Sequence, residues 1–211
     1  MPKIVIIFFL SLSVFCSCKK NDTTYPVLTM QGANPHIVVF ASDTVYADPG
    51  AVATDDMDGK LTVSSTGIVN MFFAGNYTIN YTAADNSGNN VDATRKVIVD
   101  AGPYLSGNFS IENFISVSSD SIYYDTISAP DTTTNLIFFK KFARIEQATV
   151  FAAISGITIT IPAQTINCGS IPENKTFSGY GTFSNDSIFT IYYSVSNGIT
   201  EYSGHGIYIR N

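Results

Sequence analysis

Residues 77–83 read Tyr77-Thr78-Ile79-Asn80-Tyr81-Thr82-Ala83. Apolar and polar side chains alternate with a period of two, the pattern of a strand with one face in a core and the other towards water. The same alternation returns at Ile157, Ile159 and Ile161, split by Thr158 and Thr160. It returns again at Phe189, Ile191, Tyr193 and Val195, split by Thr190, Tyr192 and Ser194. Turn tokens separate such runs: Asp48-Pro49-Gly50, Asp58-Gly59, Asn86-Ser87-Gly88, Asn185-Asp186 and Asn197-Gly198. No helical stretch stands out, and the apolar segment from Asn135 to Ala153 is β-branched and aromatic without cap signals. The reading is an all-β, antiparallel protein.

Composition narrows the function classes. The chain has 211 residues, 45% hydrophobic and 13% charged, with 17 acidic against 11 basic side chains. That apolar content excludes global disorder. The acidic balance argues against nucleic acid as a partner, since phosphate binding requires clustered Lys and Arg. Three cysteines are present, Cys16, Cys18 and Cys168.

The first residues form an address rather than a fold. Lys3 precedes an apolar run from Ile4 to Phe15, then Cys16, Ser17 and Cys18. The run is too short to cross a hydrocarbon core of about 30 Å as a helix, and it has the layout of a secretory signal peptide. Small Ser17 directly before Cys18 resembles the lipobox of bacterial lipoproteins. The resemblance implies cleavage after residue 17, lipidation of Cys18 and stable anchoring by two or three acyl chains. The rival reading is an ordinary cleaved signal with a free secreted product. The polar segment Lys19-Lys20-Asn21-Asp22-Thr23-Thr24 reads as part of a tether over 18–25. It resembles the starts of outer-membrane lipoproteins in glycan-foraging Gram-negative bacteria. The expected location is therefore the outer membrane or cell surface, reached through the secretory pathway. With Cys16 removed and Cys18 acylated, Cys168 has no disulfide partner, so stability must come from packed apolar faces.

A boundary near Asp100-Ala101-Gly102-Pro103 divides the mature chain into modules at 26–100 and 101–211. The first carries five landmarks in order: Asp48-Pro49-Gly50-Ala51, Asp55-x-x-Asp58-Gly59, Gly75-x-Tyr77-x-Ile79-x-Tyr81, Asp85-x-x-Gly88-Asn89 and Arg95-x-Val97-x-Val99. These resemble the bacterial immunoglobulin-like (Ig-like) module found in surface proteins and as a repeat in some pesticidal crystal proteins. The resemblance implies a β-sandwich of about seven strands, used as a spacer or adhesive unit without a catalytic role. Lys60 departs from the pattern, where the family often has an acidic residue. No cofactor is expected, with one candidate exception. Asp55, Asp56 and Asp58, with Asp85, supply the hard oxygen ligands that suit Ca²⁺. The rival reading is that they cap turns by accepting backbone N–H bonds.

The second module offers eight strand candidates, at 105–116, 121–128, 136–142, 149–154, 157–161, 176–183, 188–195 and 201–209. Short connections predict an antiparallel meander forming a sandwich or a calycin-like barrel. Gly179 with Gly181, and Gly204 with Gly206, sit within strands, where missing side chains permit bending or a close neighbour. Tyr192 and Tyr193 are adjacent, so they must face opposite ways. Tyr180, Tyr192 and Tyr202 are the candidate ligand contacts, exposed tyrosine on a sheet being a stacking platform for sugar rings. Sheet packing with half-buried tyrosines is the competing reading.

Asp followed by Ser or Thr and then an aliphatic residue or Thr recurs, placing hydroxyls at Thr23, Thr44, Ser121, Thr126, Thr132 and Ser187. This resembles an acceptor motif for envelope O-glycosylation; turn-forming Asp before a strand start gives the same triplet. Common catalytic signatures are missing, including Gly-x-Ser-x-Gly and His-Glu-x-x-His. The expectation is a non-catalytic, lipid-anchored envelope protein presenting an Ig-like spacer and a C-terminal binding or assembly module. Its partners would be the membrane and a glycan or other envelope proteins. The alternative is a carbohydrate-binding surface lipoprotein serving glycan uptake.

Overall fold

The computed structural model describes residues 22–116, 120–131, 135–169 and 173–211. Seven strands make two sheets in the first module. Strands β1 (Val27–Met30), β3 (Ala51–Asp55) and β4 (Gly59–Leu61) form one, in the order β1-β3-β4. Strands β2 (His36–Val39), β5 (Ser64–Thr66), β6 (Gly75–Ala84) and β7 (Asn90–Asp100) form the other, ordered β2-β7-β6-β5. Only the β2–β7 pair is parallel. Ile79, Tyr81 and Val97 are buried between the sheets, with Tyr77, Leu28 and Met30 packed against them. The period-two faces expected of β6 and β7 are the observed ones.

The same periodicity also buries a charge. Arg95 lies on the β7 face of Val97 and Val99 and is 0% exposed. Its Nε donates to Tyr81 Oη at 2.8 Å and its Nη1 to the Ala33 carbonyl at 2.7 Å. Its Nη2 donates to the carbonyls of Gln31 and Gly50. Asp48 completes the network, 3.4 Å from Arg95 Nε and accepting the Tyr81 hydroxyl at 2.6 Å. Three of the sequence landmarks thus meet in one structural cluster.

The second module is a closed barrel. Its strands are β8 (Gly107–Ile115), β9 (Ser121–Ser128), β10 (Leu136–Phe139), β11 (Val150–Ser155), β12 (Thr158–Asn167), β13 (Asn174–Phe183), β14 (Ile188–Ser196) and β15 (Glu201–Arg210). Each pairs antiparallel with the next, and β15 returns to β8. Of the two expected architectures, the barrel is the one formed. An eight-stranded barrel has an interior just wide enough for side chains, and here aromatic rings fill it. Phe189 stacks on Tyr208 at 5.0 Å, while Phe142 meets Phe139 and Tyr193, each at 5.3 Å. Glycines make the room: a Cβ on Gly204 would stand 2.8 Å from Tyr193 Oη, and one on Gly181 2.6 Å from Ile191 Cδ1.

Contrary to the helix-free expectation, one helical turn, α1 (Gly102–Leu105), follows the boundary with Pro103 in its first turn. It is part of the packing: Ala101 and Leu105 are 0% exposed. Asp100 Oδ1 accepts from the backbone N–H groups of Gly102 and Asn135. The modules share one core, in which Phe40, Met71 and Ala74 of the first join the barrel's apolar cluster. Phe40 packs between Tyr104 and Phe183, with ring centroids 4.9 and 5.3 Å away. Ala74 and Gly156 exchange two backbone hydrogen bonds across the junction.

Candidate functional site

With the lumen packed, the places for a ligand are on the outside of the barrel. Antiparallel register fixes what stands there. The turn at Asn197-Gly198 sets Ser196 opposite Glu201, and therefore Tyr192 opposite His205 and Ser194 opposite Ser203. The turn at Asn185-Asp186 sets Phe183 opposite Phe189, and therefore Tyr180 opposite Tyr192 and Ser178 opposite Ser194. The β15–β8 pairing adds Phe114 opposite His205. Ser116 donates its backbone N–H to the Ser203 carbonyl.

Two parallel rows result across β13, β14, β15 and β8. One is aromatic: Tyr180, Tyr192, His205, Phe114. Its successive centroids are 5.5, 5.5 and 4.7 Å apart, with interplanar angles of 22°, 32° and 12°. Near-parallel rings touch at roughly 3.5–4.0 Å, so the rings 5.5 Å apart are slipped like tilted tiles. Each leaves part of a face towards solvent, and Tyr180 and Tyr192 are 63% and 49% exposed. The other row is of hydroxyls: Ser178, Ser194, Ser203, Ser116. Both rows border an open groove of about 810 Å³ that Asp120 also lines. Ser194 Oγ also donates to Glu201 Oε1 at 2.5 Å. Among the described residues, no Lys or Arg lines this groove.

Two of the three expected tyrosines are brought together. The third is corrected: Tyr202 pairs with buried Val195 on the inward face of β15 and packs against the barrel core. It shares residue parity with Gly204, Gly206 and Tyr208, and burial pushes its hydroxyl pKa up. His205 and Phe114 were not anticipated. The hairpin register carried the signal for His205, whereas Phe114 arrives through a pairing between distant parts of the chain.

The acidic residues separate into two kinds. Asp85 Oδ1 accepts from the backbone N–H of Ser87 and Asn89, and its Oδ2 from the Asn89 side chain. Asp58 accepts the backbone and side-chain N–H of Asn86, both at 2.7 Å. Both oxygens of each are thus taken up by N–H donors. Asp55 and Asp56 instead stand with Asp22, one oxygen of each within 4.8 Å of the others. Among the acceptor hydroxyls, Ser121 Oγ is shut away from solvent in the folded chain. Thr126 donates to Asn108 Oδ1; Thr23, Thr44 and Ser187 are exposed. Cys18 and Thr132 lie outside the described residues. Cys168 is buried, with its thiol directed at the Ile166 carbonyl.

No curated protein matches this chain. A crystal structure of a lipoprotein from Bacteroides thetaiotaomicron superposes with a TM-score of 0.38 and 18% identity, covering 88% of this chain and 100% of its own. The family model described as bacterial surface protein, Ig-like domain, matches residues 28–99, the two-sheet module built around Arg95.

Proposed function

We propose that this is a lipid-anchored envelope protein of the cell surface, and that the outer face of its barrel binds a saccharide chain without transforming it. The observation that carries the reading is the row of slipped rings beside a row of serines. Partly open aromatic faces suit the C–H faces of pyranose rings, and hydroxyls two residues along the same strands suit their O–H groups. Three inter-strand steps of about 4.8 Å make the rows about 14 Å long, the scale of a short oligosaccharide. A groove without Lys or Arg is a poor match for phosphate-bearing ligands. The closed barrel offers no strand edge on which an extended peptide adds. The signal-like start, Cys18 and the Ig-like match at 28–99 support the location.

A glycan array probed with the detergent-solubilised mature protein tests the reading. Retention of at least one oligosaccharide class is expected, falling about tenfold or more in Tyr180→Ala/Tyr192→Ala, since stacking against one ring contributes about 1 kcal/mol. Melting should be unchanged, because both side chains are exposed. Absence of retention on every glycan would overturn the reading, and release of shortened products would overturn its non-catalytic part. As a companion arm, Cys18→Ala is expected to leave the detergent phase for the aqueous one.

A further inference from the structure

The structure assigns a calcium site to Asp22, Asp55 and Asp56, where the segment preceding β1 meets the β3–β4 turn. The two buried members have the same construction. Asp22 Oδ1 accepts the Thr24 N–H at 2.9 Å, and Asp55 Oδ2 accepts those of Met57 and Asp58 at 2.8 and 3.0 Å. Each carboxylate thus commits one oxygen to its own turn and is held by it. The second oxygens, Asp22 Oδ2 and Asp55 Oδ1, are buried and have no hydrogen-bond partner among the described residues. The two residues are nine-tenths buried, at 8% and 9% exposure. Exposed Asp56 is the third donor, and the ligand atoms lie within 4.8 Å of one another.

Buried acceptors without donors require compensation, and a cation held among the three carboxylates supplies it. The donor set is entirely hard oxygen, with neither imidazole nor thiolate, which selects Ca²⁺ or Mg²⁺ over transition metals. Calcium binds oxygens at 2.3–2.6 Å and magnesium at 2.0–2.1 Å. Separations within 4.8 Å fit inside the shell of the larger ion, whose opposite ligands stand about 5 Å apart. Asp56, free to move, fits the irregular shells that Ca²⁺ accepts, and backbone carbonyls or water would complete the coordination.

The surroundings give the site a consequence. The Asp22 carbonyl accepts from Asn89 Nδ2 at 3.2 Å, and Asp58 holds Asn86. Three segments therefore converge: the chain at 22–24, the turn at 55–59 and the turn at 85–89. Bound calcium would fasten the start of the tether to the Ig-like module only four residues after Cys18. The site itself stands whether or not Cys18 is lipidated.

Melting of the purified mature protein in 10 mM CaCl₂ against EDTA tests the assignment. For a dissociation constant of about 1 mM, typical of extracellular modules, folding gains roughly elevenfold and the midpoint rises by about 3–6 °C. Asp22→Asn and Asp55→Asn keep the acceptor that holds each turn, and each should abolish the calcium shift. In EDTA both should melt at or above the wild-type temperature, because one of three clustered negative charges is gone. Asp58→Asn, outside the cluster, should retain the shift. Identical wild-type melting in CaCl₂ and EDTA would overturn the site, as would a shift surviving both Asp22→Asn and Asp55→Asn. An equal rise in MgCl₂ would overturn the choice of ion.

Discussion

Arg95 shows how one residue can make a motif legible while its purpose stays hidden. The spacing Arg95-x-Val97-x-Val99 is visible in the sequence, and strict alternation places the arginine inside with the valines. Its partners are not visible, because Gln31, Ala33 and Gly50 contribute main-chain carbonyls and Asp48 comes from a turn 47 positions away. Removing the guanidinium takes the counter-charge from Asp48 and the arginine donor from the carbonyls of Gln31, Ala33 and Gly50 and from the Tyr81 hydroxyl, although Asp48 keeps the Tyr81 hydroxyl and Gly50 the Gln31 N–H. Asp48 keeps a quarter of its side-chain surface in water, which moderates the penalty. Arg95→Met is expected to lower unfolding free energy by about 3 kcal/mol, read as a fall in urea midpoint. Arg95→Met with Asp48→Asn should recover part of the loss, since the carboxylate no longer lacks a counter-charge. An unchanged midpoint in the single variant would show that the network does not stabilise the fold.

At the scale of elements, the barrel strands were the readable part, and their faces were readable wherever a tight turn fixed the register. All eight strand candidates are present, with ends shifted by up to three residues except at β12, which runs six residues further than expected, to Asn167. Tyr180 and Tyr192 could be placed outside because Asn185-Asp186 pins β13 to β14. Tyr202 was misplaced because aromatic identity outweighed parity: the glycines at 204 and 206 already marked its face as the inner one. Inward parity also accounts for Asp125 on β9. Burial raises its carboxyl pKa to about 6, against the opposing effect of hydrogen bonds from the Thr126, Lys141 and Lys140 backbone N–H groups. Its Oδ2 is buried without a partner among the described residues.

Because the folded pKa exceeds the unfolded value of about 3.9, the native state holds the proton more tightly between these values. This group's contribution is complete below about pH 4 and is lost as pH rises through 6. The loss amounts to at most about 3 kcal/mol. Asp125→Asn keeps the acceptor for the Thr126 and Lys141 N–H groups but does not titrate. Stability of the variant relative to wild type should therefore rise between pH 4 and pH 7, measured by denaturant unfolding at each pH. A difference that does not change with pH would refute the assignment.

For the whole molecule, the sequence distinguishes two modules but does not show that they share a core. Val99 of β7 reaches the shared cluster from a patterned strand, but most of the joining residues come from connections: Phe40 follows β2, Met71 and Ala74 precede β6, and Gly156 separates β11 from β12. No periodicity marks these connecting positions, so most of the junction is invisible until the chain is folded. Its consequence is mechanical. Modules that hinged freely would let the ring-and-serine face swing, whereas a shared core holds that face in a fixed direction relative to the first module. Cooperative unfolding is the thermodynamic form of the same statement. Calorimetry of the wild-type protein should give one transition, with calorimetric and van't Hoff enthalpies equal. Phe40 is 3% exposed and reaches both Tyr104 and Phe183, so Phe40→Ala removes the ring that couples the modules, at about 3 kcal/mol. The variant should melt in two steps or with a van't Hoff enthalpy well below the calorimetric one, and protease should then cut near residues 100–107. Two separate transitions in the wild type would mean that the modules melt independently, and the fixed orientation of the ring-and-serine face would lose its physical basis.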